Sequence, residues 1–223
     1  MSAVVWQDLC VDALDVDRMS QFWAAVIGLD VADPAPPARL SGPTGRHTVW
    51  VNQVDRPRRA KNRTHLDIDC ASIDDLVDLG ATVTAPAAQT GLGWTRMVDP
   101  EGNDFCAFVR DPTEVPAYRL HGIAVDCDDP KMLAIWWGEV FGVEPTVDDD
   151  CWTLTGVAVD DRMTFDFNAV PEPRTEPNRV HWDVRGDVDR LLARGASRLW
   201  DMPKWTVLAD PEGNEFCVFR DPH

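Results

Sequence analysis

Two short stretches hold most of the reactive side chains of this sequence. They are Asn62-Arg63-Thr64-His65-Leu66-Asp67-Ile68-Asp69 and Asn178-Arg179-Val180-His181-Trp182-Asp183-Val184-Arg185. Each alternates polar and apolar residues at period two, the pattern of a half-buried strand. Arg63, His65, Asp67 and Asp69 therefore share one face, and Thr64, Leu66 and Ile68 the other. A carboxylate beside an imidazole fixes the ring's tautomer and raises its basicity, which suits a general base. His65 with Asp67, and His181 with Asp183, are thus the candidate catalytic residues, and Arg63 and Arg179 the neighbouring ligand contacts. The competing reading of each histidine is a hydrogen-bonded structural network inside a cavity.

The elements that would position these strands recur twice. Met19, Phe22, Trp23, Val26 and Ile27 make one apolar helix face, followed by Gly28. Leu133, Trp136, Trp137, Val140 and Phe141 repeat that spacing before Gly142. Asp15 and Asp129 stand where helix caps belong. A strand-like run precedes each helix, Val5 to Asp12 and Leu120 to Cys127. Short helices follow the histidine strands, with Ser72 and Asp187 leading them. Asp99-Pro100-Glu101-Gly102-Asn103 and Asp210-Pro211-Glu212-Gly213-Asn214 are strong turns between apolar runs, so each closes its copy with a hairpin. The copies span 1–112 and 118–223, joined by a short linker at 113–117. Pro34 to Gly45 and Pro171 to Pro177 read as loops.

Bulk properties narrow the partners. A formal charge of −17 repels nucleic acid and anionic membranes. No apolar run is long enough to span a bilayer. The N-terminal stretch lacks the basic and apolar regions of a secretion signal. The six cysteines show no C-x-x-C spacing and mostly sit in apolar strands, as expected of reduced thiols in a cytoplasmic protein. The ten tryptophans allow a large core. Trp23 and Trp137 belong to helix faces, whereas Trp94 and Trp205 open hairpin strands whose alternate residues face inward. Aromatic walls with a few polar groups suit a flat organic ligand.

The pattern resembles the vicinal oxygen chelate superfamily, in its glyoxalase-like branch. The residues that carry the resemblance are Phe22-Trp23…Leu29 with Trp136-Trp137…Val143, the two Asn-Arg-x-His strands, and the two Asp-Pro-Glu-Gly-Asn hairpins. It implies an α+β fold of four βαβββ modules in two tandem domains, with paired modules curling mixed sheets around a cavity. It also implies, in metal-using members, a divalent ion held by His, Gln or Glu from the first and last strands of each module. His65 and His181 match a family His position. The last-strand Glu position holds Cys106 and Cys217, with Asp104 and Glu215 two residues earlier on the same face. Counting back from the helix places Asp8 and Gly122 at the first-strand position. His121 falls on the apolar side with Ile123 and Val125, and only a one-residue bulge would turn it inward, with Gln7 as its counterpart. Asn52 and Asn168 match each other in the fourth strand and are weak ligands.

Taken within the sequence copies, the candidate metal sets are Asp8, His65 and Cys106, and His121, His181 and Cys217. A catalytic centre normally needs three protein ligands and an open position. The cofactor therefore stays open, and a divalent metal is the less favoured alternative. Candidate ligand-binding residues are Arg63, Asn52, Trp94, Asp104, Arg179, Asn168, Trp205 and Glu215. The expected partner is a small organic molecule, with the chain a monomer or homodimer. Lyase, isomerase or dioxygenase-type chemistry on that molecule is the leading reading. Its rival is a non-catalytic binder of drugs or aromatic metabolites, of the bleomycin-resistance type, whose acidic charge would favour cations.

Overall fold

The computed structural model describes residues 2–148 and 151–220, so the end of the second copy, 221–223, lies outside the described residues. The first module is β1 (Val4–Ala13), α1 (Val16–Ile27), β2 (Asp30–Asp33), β3 (Ala38–Ser41) and β4 (Val49–Gln53). The second is β5 (Thr64–Cys70), α2 (Ile73–Asp78), β6 (Thr82–Ala85), a single-turn α3 (Ala87–Thr90), β7 (Thr95–Val98) and β8 (Asp104–Val109). The third is β9 (Leu120–Cys127), α4 (Pro130–Phe141), β10 (Thr146–Asp148), β11 (Cys151–Thr155) and β12 (Thr164–Ala169). The fourth is β13 (Val180–Gly186), α5 (Val188–Ala193), β14 (Ser197–Asp201), β15 (Trp205–Ala209) and β16 (Glu215–Phe219). One expectation fails here: the Pro- and Gly-rich stretch from Pro34 to Gly45 contains β3, because Ala38 and Leu40 alternate inward and are fully buried.

The modules combine into two eight-stranded mixed sheets. The first runs β14-β15-β16-β13-β1-β4-β3-β2, and the second β10-β11-β12-β9-β5-β8-β7-β6. Neither sheet is confined to one copy of the repeat. The first joins the opening module to the closing one through β1 and β13, with Cys10 opposite His181. The second joins the two middle modules through β5 and β9, with His65 opposite Ala124. Each sheet therefore takes half its strands from each copy.

What binds each copy to itself is the layer behind the sheets. The apolar stripe of α1 is buried, and its Trp23 packs edge-on against Phe105 of β8, centroids 5.6 Å apart. In the other copy Trp137 of α4 packs against Phe216 of β16 at 4.9 Å and Trp182 of β13 at 5.0 Å. Burying each such ring is worth about 1.5–3 kcal/mol, with roughly 0.5–1.5 kcal/mol more for the edge-to-face geometry. Asp15 and Asp129 cap these helices by accepting from the N–H groups of Arg18 and Met132. Gly28 ends α1 at φ 87°, and a Cβ there would lie 1.9 Å from the Ala117 carbonyl oxygen.

The repeated turn does more than reverse the chain. Asp99 accepts from the N–H groups of Glu101 and Asn103, and Asp210 does the same for Glu212 and Asn214. This leaves Glu101 free to reach the neighbouring module, where it accepts from Leu14 and Asp15 at the start of α1. Glu212 reaches Asp128 and Asp129 at the start of α4 in the same way. A carboxylate at a helix N-terminus meets both unpaired N–H groups and the positive end of the dipole.

Candidate active site

Bulges at the two central seams decide what faces inward. In β1, Trp6 lies opposite Val184 and Asp8 opposite Asp183, leaving Gln7 unopposed. In β9, Leu120 lies opposite Ile68 and Gly122 opposite Asp67, leaving His121 unopposed. An extra residue reverses the alternation on one side of the bulge. His121 consequently leaves the apolar face to which unbroken parity assigned it. Its Nδ1 lies 3.2 Å from Asp69 Oδ1, and its ring meets Phe108 edge-on at 4.6 Å. The bulge that sequence reading named as the one rescue for His121 is present.

The metal sets taken within sequence copies are corrected by the same topology. Asp8 shares its hollow with His181 and Cys217, not with His65 and Cys106. His121 belongs to the sheet of His65 and Cys106, not to that of His181 and Cys217. The cross-copy pairing of β1 with β13 and of β5 with β9 is the reason.

The first sheet encloses a cavity of about 620 Å³. Trp50, Trp205, Phe219 and Val207 supply apolar wall, and Trp200 of the edge strand β14 and Met202 just after it stand at its side. Trp205 stacks on Phe219 at 5.3 Å, which fixes the indole plane. The polar floor is Asp8, Cys10, Asp12, His181, Asp183 and Cys217. Asp8 accepts from Trp50 Nε1 and Gln7 Nε2, each at 3.2 Å. Asp12 accepts from Asn52 at 3.5 Å, and both side chains line the cavity. Asp183 is 4% exposed and accepts from the Cys10 thiol at 3.5 Å, while its Oδ1 has no hydrogen-bond partner. Burial pushes the Asp183 carboxyl up to about 6, against the pull of His181 and the thiols. Burial and the same carboxylate hold the Cys10 and Cys217 thiols well above the ordinary range.

The second sheet treats the equivalent positions differently. His65 Nδ1 lies 3.5 Å from Asp67 Oδ1 and 3.9 Å from the Cys106 sulfur, and its Nε2 lies 3.8 Å from Asp126. Lys61 pairs with Asp126 from the other side. Burial works against a charge on His65, but Asp126, Asp67 and Cys106 outweigh it and raise the ring well above its ordinary value. Burial likewise opposes the charge on Asp126, and His65 with Lys61 overcomes it, holding that carboxyl low. At the register position of Trp50 stands Asp166, hydrogen-bonded by Thr153 and Thr164. Gly122 stands where the first sheet has Asp8, and a Cβ there would lie 3.1 Å from Thr164 Oγ1, 3.2 Å from Asp67 Cβ and 3.3 Å from Asp166 Oδ2. His65, Lys61 and Asp126 thus offset one another's charge, while Asp67 Oδ1 has no hydrogen-bond partner.

Several expected ligand contacts are committed elsewhere. Arg63 bonds Asp128 and the Glu172 carbonyl, and Arg179 bonds the Arg56 carbonyl, so both guanidinium groups tie down loops. Asp104 pairs with Arg58 and accepts from the Asn62 N–H, and Glu215 repeats this with Arg174 and Asn178. Trp94 stacks on Phe108 at 5.5 Å, and Asn168 donates to the Asp166 carbonyl at 3.4 Å. Of these, Asn52, Trp205 and Glu215 line the first cavity. Cys10 and Asp12 went unsingled, although they continue the inward parity of Asp8 at i+2 and i+4. Lys61 carried no signal in the sequence.

A divalent ion, which the fold implies, can be tested against these donors. The positions matched to the family's first-strand ligand are a hydrogen-bonded Asp8 and a glycine. Each sheet nevertheless groups three donors with ligand atoms within 4.8 Å of one another, Cys10, His181 and Asp183 in the first and His65, Asp67 and Cys106 in the second, and in each set the aspartate Oδ1 lacks a hydrogen-bond partner. That donor chemistry fits a borderline divalent cation.

Fold and repeat together define a protein of tandem glyoxalase-like domains. The family model for the glyoxalase-like domain matches residues 8–108 and again 122–219, and the chain belongs to that family. Among solved structures it is similar to glyoxalase I from Zea mays, at 15% identity and a TM-score of 0.69, over 97% of this chain and 92% of that one. A putative dioxygenase from Bacillus subtilis is similar at 14% identity and a TM-score of 0.65, over 100% and 86%. At such identities the likeness is one of fold. No curated protein matches the chain in sequence. Among the described residues, no helix is long and apolar enough to cross a membrane.

Proposed function

We propose that the chain acts on a small organic molecule held in the cavity of the first sheet, with His181 and Asp183 as the groups that meet its reacting end. The observation that carries this reading is the coincidence of a ligand-sized hollow, aromatic walls and that His–Asp pair in one place. Trp50 and stacked Trp205 would grip a flat apolar portion, while the polar floor would orient a carbonyl, enol or phenol oxygen. The unpartnered Asp183 Oδ1 can accept a proton or hydrogen bond from the substrate, and His181 can pass a proton on. A divalent ion held at the floor would polarise the substrate oxygen. The second sheet, where His65, Lys61 and Asp126 offset one another's charge, would serve as scaffold.

The test combines binding and turnover. A panel of aromatic carbonyl and phenolic compounds should quench tryptophan emission in the native chain and lose affinity in Trp205→Ala. Any turnover found should fall by at least about 100-fold in His181→Ala, the range for a general acid–base group, and little in His65→Ala. Equal turnover in His181→Ala would remove the enzyme reading. A second reading, non-catalytic sequestration, is favoured by the acidic floor beside the indoles. It predicts tight binding of an aromatic cation with no product.

A further inference from the structure

We propose that the ligand of the first cavity is an organic anion, a flat apolar body bearing a carboxylate or phosphate group that Arg56 and Lys204 meet at the opening. This rests on the cavity reading given above and narrows it. The two cations stand on opposite arms of the curled sheet. Arg56 follows β4, Lys204 sits in the turn between β14 and β15, and strands β16, β13 and β1 lie between those arms. Both residues line the one cavity and both are exposed, so they stand where it meets solvent. Trp200 and Met202, 53% and 42% exposed, precede Lys204 in the same lining. An aromatic body therefore finds apolar surface right up to the charged rim.

The sign of the missing group follows from which charges already have partners. Four carboxyl groups line the cavity, and each takes a donor from the protein. Asp8 accepts from Trp50 and Gln7, Asp12 from Asn52, Asp183 from the Cys10 thiol, and Glu215 from Arg174 and the Asn178 N–H. Burial also pushes Asp8, Asp12 and Asp183 upward, which reduces the negative charge of the floor. Asp183 keeps one oxygen open, but that residue is 4% exposed and belongs to the floor, away from the opening. Among the described residues, the side chains of Arg56 and Lys204 have neither a hydrogen bond nor an ion pair. The unmatched charge at the opening is positive.

A second hollow supports the same sign. It measures about 100 Å³ and shares Asp12, Arg56, Pro177 and Asn178 with the large cavity. Arg59 and Arg179 also line it, so three guanidinium groups face the carboxylates of Asp12 and Glu176. It is smaller than the roughly 150 Å³ that admits a benzene ring, and suits a single charged group instead. Glu176 accepts from the Arg59 N–H at 3.2 Å, and Arg179 bonds the Arg56 carbonyl. The loop bearing Arg56 is thus tied to the opposite copy while its own guanidinium stays free. A guanidinium on a fixed backbone can give two parallel N–H groups to a carboxylate or phosphate, and Lys204 adds a point charge.

Four probes on one naphthalene ring separate the possibilities. They are 2-naphthoate, 2-naphthyl phosphate, the neutral 2-naphthamide and 2-naphthylmethylammonium, each titrated calorimetrically into the full-length chain at low salt. At least one anion should bind about 5-fold or more tighter than the amide, the effect of two partly exposed ion pairs, and the ammonium should bind weakest. That advantage should shrink as salt rises, because both cations are exposed. Arg56→Gln and Lys204→Gln, both at exposed positions, should each cut the anion-to-amide ratio by at least about 2-fold, and the double variant should erase it. An anion that binds no tighter than the amide, or a preference that survives the double variant, would overturn the proposal. If amide binding then still depends on Trp205, the cavity reading stands without it. An ammonium that binds tightest would also overturn it, in favour of sequestered cations, and a chain that takes none of the four would overturn both readings.

Discussion

Replacing Glu101 with alanine should loosen the first copy of the repeat by a calculable amount. Its carboxylate accepts from Leu14 N–H at 2.9 Å to both oxygens and from Asp15 N–H at 2.7 Å, at the entry to α1. A hydrogen bond to a charged group is worth about 1.5–3 kcal/mol when sheltered. These N–H groups are exposed enough for water to replace the carboxylate, which reduces the net to about 1 kcal/mol each and about 2 kcal/mol for the clamp, dipole term included. In a chain of this length each kcal/mol moves Tm by about 2–4 °C, so Glu101→Ala should lower it by roughly 4–8 °C in calorimetry. Glu101→Gln keeps one acceptor oxygen and should lose about half as much. Glu212 makes the matching bonds at 2.8 Å to Asp128 and Asp129, so Glu212→Ala should behave alike. The double variant should add to within about 0.5 kcal/mol, because the clamps lie in separate copies. A Glu101→Ala protein within about 0.3 kcal/mol of the parent would refute the idea that this motif residue joins modules.

Three further outcomes follow from the geometry. The raised His65 means that its contribution to stability is complete below the ordinary imidazole value, about 6.5, and is lost as pH climbs through the folded value. Urea midpoints should therefore fall toward alkaline pH in the parent, and His65→Gln should flatten that fall. Gly28→Ala should cost at least about 1–3 kcal/mol, because φ is 87° and the new Cβ would strike the Ala117 carbonyl. Gly195→Ala has a positive φ but open space, and should cost less in the same denaturation assay. Trp205→Ala should weaken aromatic ligands in the first cavity, whereas Trp94→Ala, stacked on Phe108 in the other sheet, should not, as read by titration calorimetry.

Local patterns were legible where local physics decides them. The stripe from Met19 to Ile27, the caps Asp15 and Asp129, and the stops Gly28 and Gly142 became helices with the expected ends. The period-two alternation from Thr64 to Asp69 and from Val180 to Arg185 put each histidine on one face with its aspartate, and His181 with Asp183 lines the first cavity. Seams between modules were not legible, because pairing β1 with β13 depends on contacts more than 170 residues apart, such as Cys10 with Asp183. A bulge adds one residue without changing the apolar pattern around it, which is why His121 was assigned to the wrong face. Arg63 and Arg179 show a further limit. Parity gives the direction of a Cβ, but a long guanidinium can turn back to a loop carbonyl, and both do.

The crossed seams have a bearing on what a severed chain would do. Cutting at 113–117 would not release two finished containers; it would release two fragments, each presenting two bare strand margins, β1 and β5 or β9 and β13. Because the fragments descend from one pattern, a lone 1–112 piece could offer β1 to the β5 of its twin and accept the reverse, closing a two-fold ring. The intact polypeptide reads as that ring written once, with its halves free to diverge: one sheet keeps a cavity walled by indoles, while the other sets a Lys61–Asp126 ion pair beside its histidine.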